Sequence, residues 1–330
     1  MNEYVPPFKI TAKSISLIAE ISAQLERYAI RMEQSDSLLL RKANRIKTIQ
    51  GSLAIEGNTL SEDQITAILE GKHVIAPLRE VQEVRNAIKT YDRFTEWNPY
   101  FGKDLLAAHQ SMMAGLIDEA GMFRRGGVGV FAGTEVIHMA PPADRVPYLI
   151  GDLLKWLETS EDHPLVKSSV FHYEFEFIHP FADGNGRMGR LWQTLILSRW
   201  KPVFAFVPIE NMVYSHQAEY YQAINESTEK TDAGVFVEFL LEVILEALVS
   251  HRERTPEVAP EVAPEVGKLL NVLNKAEELT RKELQNRLGL KDEKNFRQKY
   301  LLPALAGGYI EMTVPDKPNS RLQKYRRSKS

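Results

Sequence analysis

Twelve residues near the middle of the chain concentrate its chemistry: His179-Pro180-Phe181-Ala182-Asp183-Gly184-Asn185-Gly186-Arg187-Met188-Gly189-Arg190. An imidazole, a carboxylate, three glycines and two guanidiniums in this order admit three readings. The run from Gly184 to Gly189 satisfies G-x-G-x-x-G, but as a dinucleotide turn it must follow a strand and open a helix inside a βαβ unit. The residues before His179 instead continue a helical run from Leu165, and no alternating βαβ pattern surrounds them. A metal reading takes His179 and Asp183 as ligands with His172; Pro180 and the glycines make 179–186 a loop, His172 reads as a core or capping histidine, and no dedicated zinc site results. The third reading gives every polar residue a task. Gly184 and Gly186 let backbone N–H groups turn inward around phosphate oxygens at the start of a helix. Arg187 and Arg190, three apart on that helix, clamp further phosphates, and Asp183 offers one carboxylate to Mg²⁺. His179, with an ordinary pKa of about 6.5, takes a proton from an attacking hydroxyl near neutral pH.

Helices must position these groups. Ile15, Leu17, Ile18, Ile21 and Leu25 recur at a helical period, as do Ala43, Ile46, Ile49 and Leu53. Ser61-Glu62-Asp63-Gln64 is a capping box ahead of Ile65, Ile68 and Leu69. Further helical patterns cover residues 80–97, 103–117, 145–159, 165–178, 187–200, 216–227 and 233–251. Residues 124–139 depart from this, with four glycines and alternating β-branched residues before Pro141-Pro142, and read as a short β-hairpin. The fold class is mainly α.

With 330 residues, 44% of them hydrophobic and 26% charged, the chain has material for two or three globular domains. The absence of cysteine excludes disulfides, thiolate zinc sites and a cysteine nucleophile. The start, MNEYVPPFKITAKS, lacks the basic and apolar regions of a signal peptide, so a cytoplasmic location is expected. The most apolar stretch is striped by Glu238, Glu242 and Glu246, which excludes a bilayer span and leaves no membrane partner. Net charge is −3, yet residues 267–330 hold 15 Lys and Arg against 7 Asp and Glu, an excess of eight that leaves −11 for the rest. Prolines at 256, 260 and 264 divide the two bodies with an extended spacer.

At the twelve-residue stretch the chain resembles the Fic family, whose signature H-x-F-x-[DE]-G-N-G-R-x-x-R is matched at every specified position. The likeness covers residues 1–250 in broad terms, through RKANRIKTIQGSLAIEGNTLS and EVQEVRNAIKTYD. It implies a Fic-type helical domain with a β-hairpin flap, and a protein adenylyltransferase that moves AMP from Mg²⁺-ATP to a Ser, Thr or Tyr hydroxyl. By that resemblance His179 is the base, Phe181 anchors the loop, Asp183 binds Mg²⁺, and Gly184, Asn185 and Gly186 form the anion hole. Arg187 and Arg190 hold the β- and γ-phosphates on a helix that includes Met188 and Gly189. Relatives that phosphorylate carry lysine where this chain has Gly186. Val128, Gly129 and Val130 belong to the flap that aligns the target, and Tyr220 and Tyr221 resemble the pair beside the adenine. Thr228 stands where some relatives have asparagine.

A second motif acts on the first. Ser52-Leu53-Ala54-Ile55-Glu56-Gly57 ends a helix, with Gly57 suited to the left-handed position and Ser52 and Glu56 on one face. A glutamate at that end opposes the helix dipole, so another group must hold its charge. The stretch resembles the [ST]-x-x-x-E-[GN] inhibitory motif of Fic proteins, which implies that Glu56 takes the Arg190 guanidinium from the γ-phosphate. Some autoinhibited relatives also remove AMP, and that activity stays open.

The expected bodies are an N-terminal helical region (1–100), a catalytic core (101–252), a Pro-Glu-Val linker (253–266) and a C-terminal domain (267–330). In the last, helices up to 280, over 280–288 and from Asp292 to Ala306, then a strand at 309–313, resemble a winged helix-turn-helix with its wing around Val314 to Ser320 and a basic tail ending Tyr325-Arg326-Arg327. Lys291, Lys294, Arg297 and Lys299 could face DNA phosphates. Target protein, self-modification, DNA and a homo-oligomer remain the open partners. The competing reading is a DNA-binding regulator whose Fic-like body senses nucleotide without turnover.

Overall fold

Apolar residues spaced three and four apart coil into α1 (Ala12–Met32), α2 (Ser37–Ala54), α3 (Glu62–Leu69), α4 (Leu78–Asp92) and α5 (Gly102–Met113), and after the hairpin into α6 (Val146–Thr159), α7 (Pro164–Ile178), α8 (Asn185–Trp200), α9 (Ile209–Ser215), α10 (Gln217–Lys230) and α11 (Gly234–Arg254). The computed structural model describes residues 4–32, 37–132, 135–254, 264–273, 277–290, 292–306, 309–313, 320 and 323–328. It divides into two compact units, Met1–Arg252 and Glu253–Ser330.

Local chemistry sets the helix ends. Ser61 accepts from the Gln64 N–H while the Gln64 side chain accepts from the Ser61 N–H, closing the capping box of α3. Three ends differ from the periodicity. The pattern over 80–97 is α4 followed by a 3₁₀ turn at Phe94–Glu96, and α5 stops at Met113 because Gly115 turns left-handed at φ 71°. α8 begins two residues before the expected 187, with Gly184 as its N-cap. The seven residues of α9 and the 3₁₀ turn Pro202–Phe206 are too short to show a period and were not expected.

Residues 1–100 and 101–252 share one core. Ile21, Leu25, Leu53 and Val84 belong to the same buried cluster as Phe171, Trp192, Leu195 and Phe236. α7 lies at its centre, buried along almost its whole length, and packs against α8. α2 is pressed onto α9 at Gly51, where an added Cβ would lie 2.5 Å from Asn211 Cα. Gly51→Val therefore has to part the two helices, and we expect it to cost about 1–3 kcal/mol. The loss is read as a lower denaturant midpoint at unchanged slope; an unmoved midpoint contradicts the close packing.

The hairpin is present as β1 (Gly129–Ala132) antiparallel to β2 (Glu135–Met139), with a register shift between Val130 and Phe131. Gly133 and Thr134 of the expected turn lie outside the described residues.

In the second unit α12 (Pro264–Val272) begins inside the expected 253–266 linker, with Val266 buried, since proline is well placed in a first turn. α11 likewise runs on to Arg254. α13 (Arg281–Arg287) starts from a Thr280 capping box and is followed by Gly289 at φ 68°. α14 (Glu293–Phe296) passes through a π-helical stretch, Arg297–Leu301, into α15 (Leu302–Ala306). β3 (Ile310–Met312) pairs antiparallel with β4 (Tyr325–Arg327), so the supposed basic tail is a strand. Arg326 is spent on Glu311 at 2.6 Å and Glu278 at 3.5 Å, and Arg327 donates to the Leu270 and Leu273 carbonyls. Arg297 and Lys299 are exposed, whereas Lys291, the Lys294 side chain and wing residues 314–319 lie outside the described residues. Among the described residues no helix is long and apolar enough to cross a membrane.

Candidate active site

α7 ends at His179, which takes a left-handed conformation (φ 50°, ψ 62°) before Pro180. A histidine in that region is strained, and its neighbours hold it there. Its N–H donates to the Phe175 carbonyl at 2.9 Å, and its own carbonyl accepts from Arg124 Nε at 2.7 Å. Arg124, only 3% exposed, also donates to the carbonyls of Ile178, Gly126 and Pro141. A guanidinium on the last carbonyls of α7 answers the negative end of the helix and ties both ends of the hairpin to the loop. The sequence reading gave Arg124 no role. Its signal was an arginine pair directly before Gly126-Gly127.

Phe181 is fully buried and lies parallel to the His109 ring at a centroid distance of 3.6 Å. His109 was also missed. Its Nδ1 accepts from the Gly121 N–H at 2.9 Å, so Nε2 carries the proton and donates to the Asp183 carbonyl at 3.0 Å. Burial lowers its pKa to about 4 and keeps the ring neutral. Asn185 closes the loop from within, accepting from the Phe181 N–H at 2.8 Å and donating to the Phe181 carbonyl at 2.9 Å.

Gly184 caps α8 at φ 86°, and an added Cβ would lie 2.7 Å from the Met113 sulfur, so the turn admits only glycine. Asp183 Oδ1 accepts from the Gly184 N–H at 2.6 Å and from Arg187 Nη2 at 3.0 Å; Oδ2 accepts from Arg79 Nη2 at 3.3 Å. Arg79 and Glu83, on successive turns of α4, thus face the loop: Glu83 lies 3.7 Å from Arg187 Nη1. Asp183 is 38% exposed and Arg79 57%, so a cation can displace this pair. An open carboxylate beside two arginines suits Mg²⁺ held jointly with phosphates.

Arg190 is buried, and Glu56 reaches it. Nη2 lies 2.5 Å from Glu56 Oε1 and donates to the Ser52 carbonyl at 3.0 Å, while Nε donates to Ser52 Oγ at 3.4 Å. Burial pulls the Arg190 pKa down, but Glu56 together with Tyr220 and Glu176 more than offsets this and the net shift is upward. The helix before Glu56 ends in a Schellman turn, with Gly57 at φ 90° and the Asn58 N–H on the Leu53 carbonyl. α4 fixes that turn: Glu83 accepts from Asn58 Nδ2 at 2.9 Å and Glu80 from the Thr59 N–H at 2.6 Å. A Cβ on Gly186 would run into the Glu56 carboxylate, so glycine there is what lets Glu56 in.

His179 Nδ1 lies 3.3 Å from the Glu176 carbonyl. A carbonyl only accepts, so Nδ1 carries the proton and Nε2 presents its lone pair, the tautomer a base requires. Met188 and Gly189 are buried on α8, Gly189 because a Cβ would meet Glu176 and His172. His172 is a core residue as expected, hydrogen-bonded to Gln193 and Tyr220 and lowered by burial to about 3. Tyr220 is buried among His172, Phe236 and Phe239, and Tyr221 is half-buried beside it. A cavity of about 510 Å³ adjoins the end of α7, lined among others by Tyr4, Pro141, Tyr173, Phe177, Ile178 and Thr228. Tyr173 and Thr228 share a hydrogen bond of 3.1 Å across its wall.

A crystal structure of a Fic family protein from Desulfovibrio desulfuricans G20 is similar to this chain over 99% of both, with 48% identity and a TM-score of 0.76. The chain belongs to the Fic family. The Fic/DOC family model matches residues 102–197, and the model described as filamentation induced by cAMP protein Fic-like, C-terminal domain, matches 264–328. Among curated proteins, the protein adenylyltransferase Fic of Aedes aegypti is 29% identical over 66% of this chain and 44% of its own. That of Culex quinquefasciatus is 32% identical over 60% of this chain and 39% of its own. The chain spans less than half the length of these curated relatives.

The Fic loop brings together His179, Asp183, Gly184, Asn185, Gly186, Arg187 and Arg190, with Ser52 and Glu56 joining from the turn after α2. Tyr220 is buried, and Val128, directly before β1, is half-buried.

Proposed function

We propose that this Fic chain transfers AMP from ATP to a hydroxyl side chain of a protein. The observation that carries the reading is one carboxylate, Glu56, seated on the deepest arginine of a loop otherwise arranged for phosphates, with a base at its edge. In the transfer, the target O–H proton passes to His179 Nε2 as the oxygen bonds to the α-phosphorus. The α–β phosphoanhydride then breaks and pyrophosphate leaves. Arg187 and Arg190 would neutralise charge on the leaving phosphates, and the N–H groups at the start of α8 would face the oxygens. Asp183 would hold Mg²⁺, which supplies charge compensation for the phosphates. The base would lodge in the cavity beside Tyr173 and Thr228, and the target segment along the flap.

In the same reading, Glu56 is an autoinhibitor: it competes with the γ-phosphate for a bidentate partner. Intact mass measurement after incubation with Mg²⁺-ATP tests the proposal, since the Glu56→Gly chain or an added target should gain one AMP on a hydroxyl. A gain of phosphate, or none, would overturn it.

Arg79 must leave Asp183 before a metal ion can bind there. Arg79→Ala is expected to lower the Mg²⁺ concentration for half-maximal transfer about two- to fivefold, the range for an exposed ion pair. An unchanged or higher requirement contradicts the competition.

A further inference from the structure

Glu176 has no task in the transfer step, yet it occupies a place where a carboxyl group is rarely tolerated. It lies in the last turn of α7, three residues before His179, and is only 7% exposed. Its Oε1 has no hydrogen-bond partner and lies 3.8 Å from His172 Nε2, and its Oε2 lies 4.0 Å from His179 Nδ1. α8 makes room for it with Gly189, whose added Cβ would lie 2.8 Å from Glu176 Oε1. A buried carboxyl group with an unsatisfied oxygen costs stability that an apolar side chain of the same size would not. Packing alone does not account for it.

We propose that Glu176 is a positioning residue for His179: its carbonyl fixes the tautomer, and its carboxyl group stabilises the imidazolium formed when Nε2 takes the target's proton. The inference rests on the AMP-transfer reading. It follows the logic of a histidine base oriented and charge-balanced by an acid on its far nitrogen. The groups facing Glu176 are His172 and His179 from the α7 side, Arg190 from α8, Glu56 from the turn after α2, and Tyr220 and Tyr221 from α10. Burial pushes the Glu176 pKa up to about 8, against the pull of Arg190 and with a further push from Glu56. Its carboxyl group is therefore neutral at neutral pH and charged above about pH 8, and only the charged form favours the imidazolium.

Two measurements on the full chain test this. In the Glu56→Gly background, kcat should rise about three- to tenfold as Glu176 ionises, with KM for ATP unchanged. Glu176→Asp should keep that rise and Glu176→Gln should lose it. In the chain with Glu56 intact and no nucleotide, the His179 Cε1 chemical shift should show a second inflection near pH 8 that Glu176→Gln removes. An inflection that persists in Glu176→Gln, or pH profiles that are parallel with and without the carboxyl group, would overturn the proposal. The chemical shift is read without turnover, so absence of AMP transfer in every variant would count against the transfer reading alone.

Discussion

Glu56→Gly is expected to raise the rate of AMP transfer about 10- to 100-fold at saturating Mg²⁺-ATP, the range of a typical coupling free energy between competing sites. In the resting chain the Arg190 guanidinium already has a carboxylate at 2.5 Å and two acceptors on Ser52. A γ-phosphate gains that arginine only by displacing Glu56, which is anchored through Asn58 and Thr59 to α4. Glycine removes the competitor while keeping the backbone of the turn. The same change leaves a buried guanidinium short of one partner and should cost on the order of 1–3 kcal/mol of stability. Because Glu56 is one-third exposed, the cost is below that of breaking a fully buried pair. ADP should restore more thermal stability to the variant than to the parent, since phosphate oxygens replace the lost acceptor. An unchanged transfer rate in a folded variant would remove autoinhibition from the account.

His179→Ala in the Glu56→Gly background is expected to lower kcat about 10²- to 10⁴-fold, the contribution of a well-placed general base. The tautomer suits this role: Nδ1 is tied to the Glu176 carbonyl and carries the proton, so Nε2 is the basic nitrogen. Affinity for ATP should change little, because the phosphate groups are assigned to Arg187, Arg190 and the start of α8. Binding of a fluorescent ATP analogue, measured beside kcat, separates the two effects. Equal losses in affinity and turnover would mean that the imidazole binds nucleotide rather than acting on the target hydroxyl.

What the sequence made legible was local. In the loop from His179 to Arg190 the glycines that free the backbone and the two arginines on one helix face were readable, while the left-handed cap at Gly184 and the clasp of Asn185 on Phe181 came with the structure. The Glu56–Arg190 contact was legible through the family resemblance, because a separation of 134 residues carries no periodic signal. Groups supplied by other elements stayed hidden. His109 and Arg124 are defined by what they reach, the Asp183 carbonyl and the last carbonyls of α7; His109 sits in no recognisable pattern, and the arginine pair before Gly126-Gly127 names no partner. Arg79, just ahead of the helical pattern at 80–97, drew no reading, yet it faces Asp183. Which way Tyr220 turns its ring was likewise hidden, and it is buried against Phe236 and Phe239. Over the C-terminal unit the count gives a net excess of eight positive charges but not their placement: Arg287 pairs with Glu277 and Arg326 with Glu311.

The most direct test follows the label from ATP carrying a marked α-phosphate into protein, in the parent chain, in Glu56→Gly and in Glu56→Gly with His179→Ala. The account predicts rapid incorporation in the single variant, slow incorporation in the parent and almost none in the double variant. Equal incorporation in all three, or incorporation only when the γ-phosphate carries the mark, would contradict it.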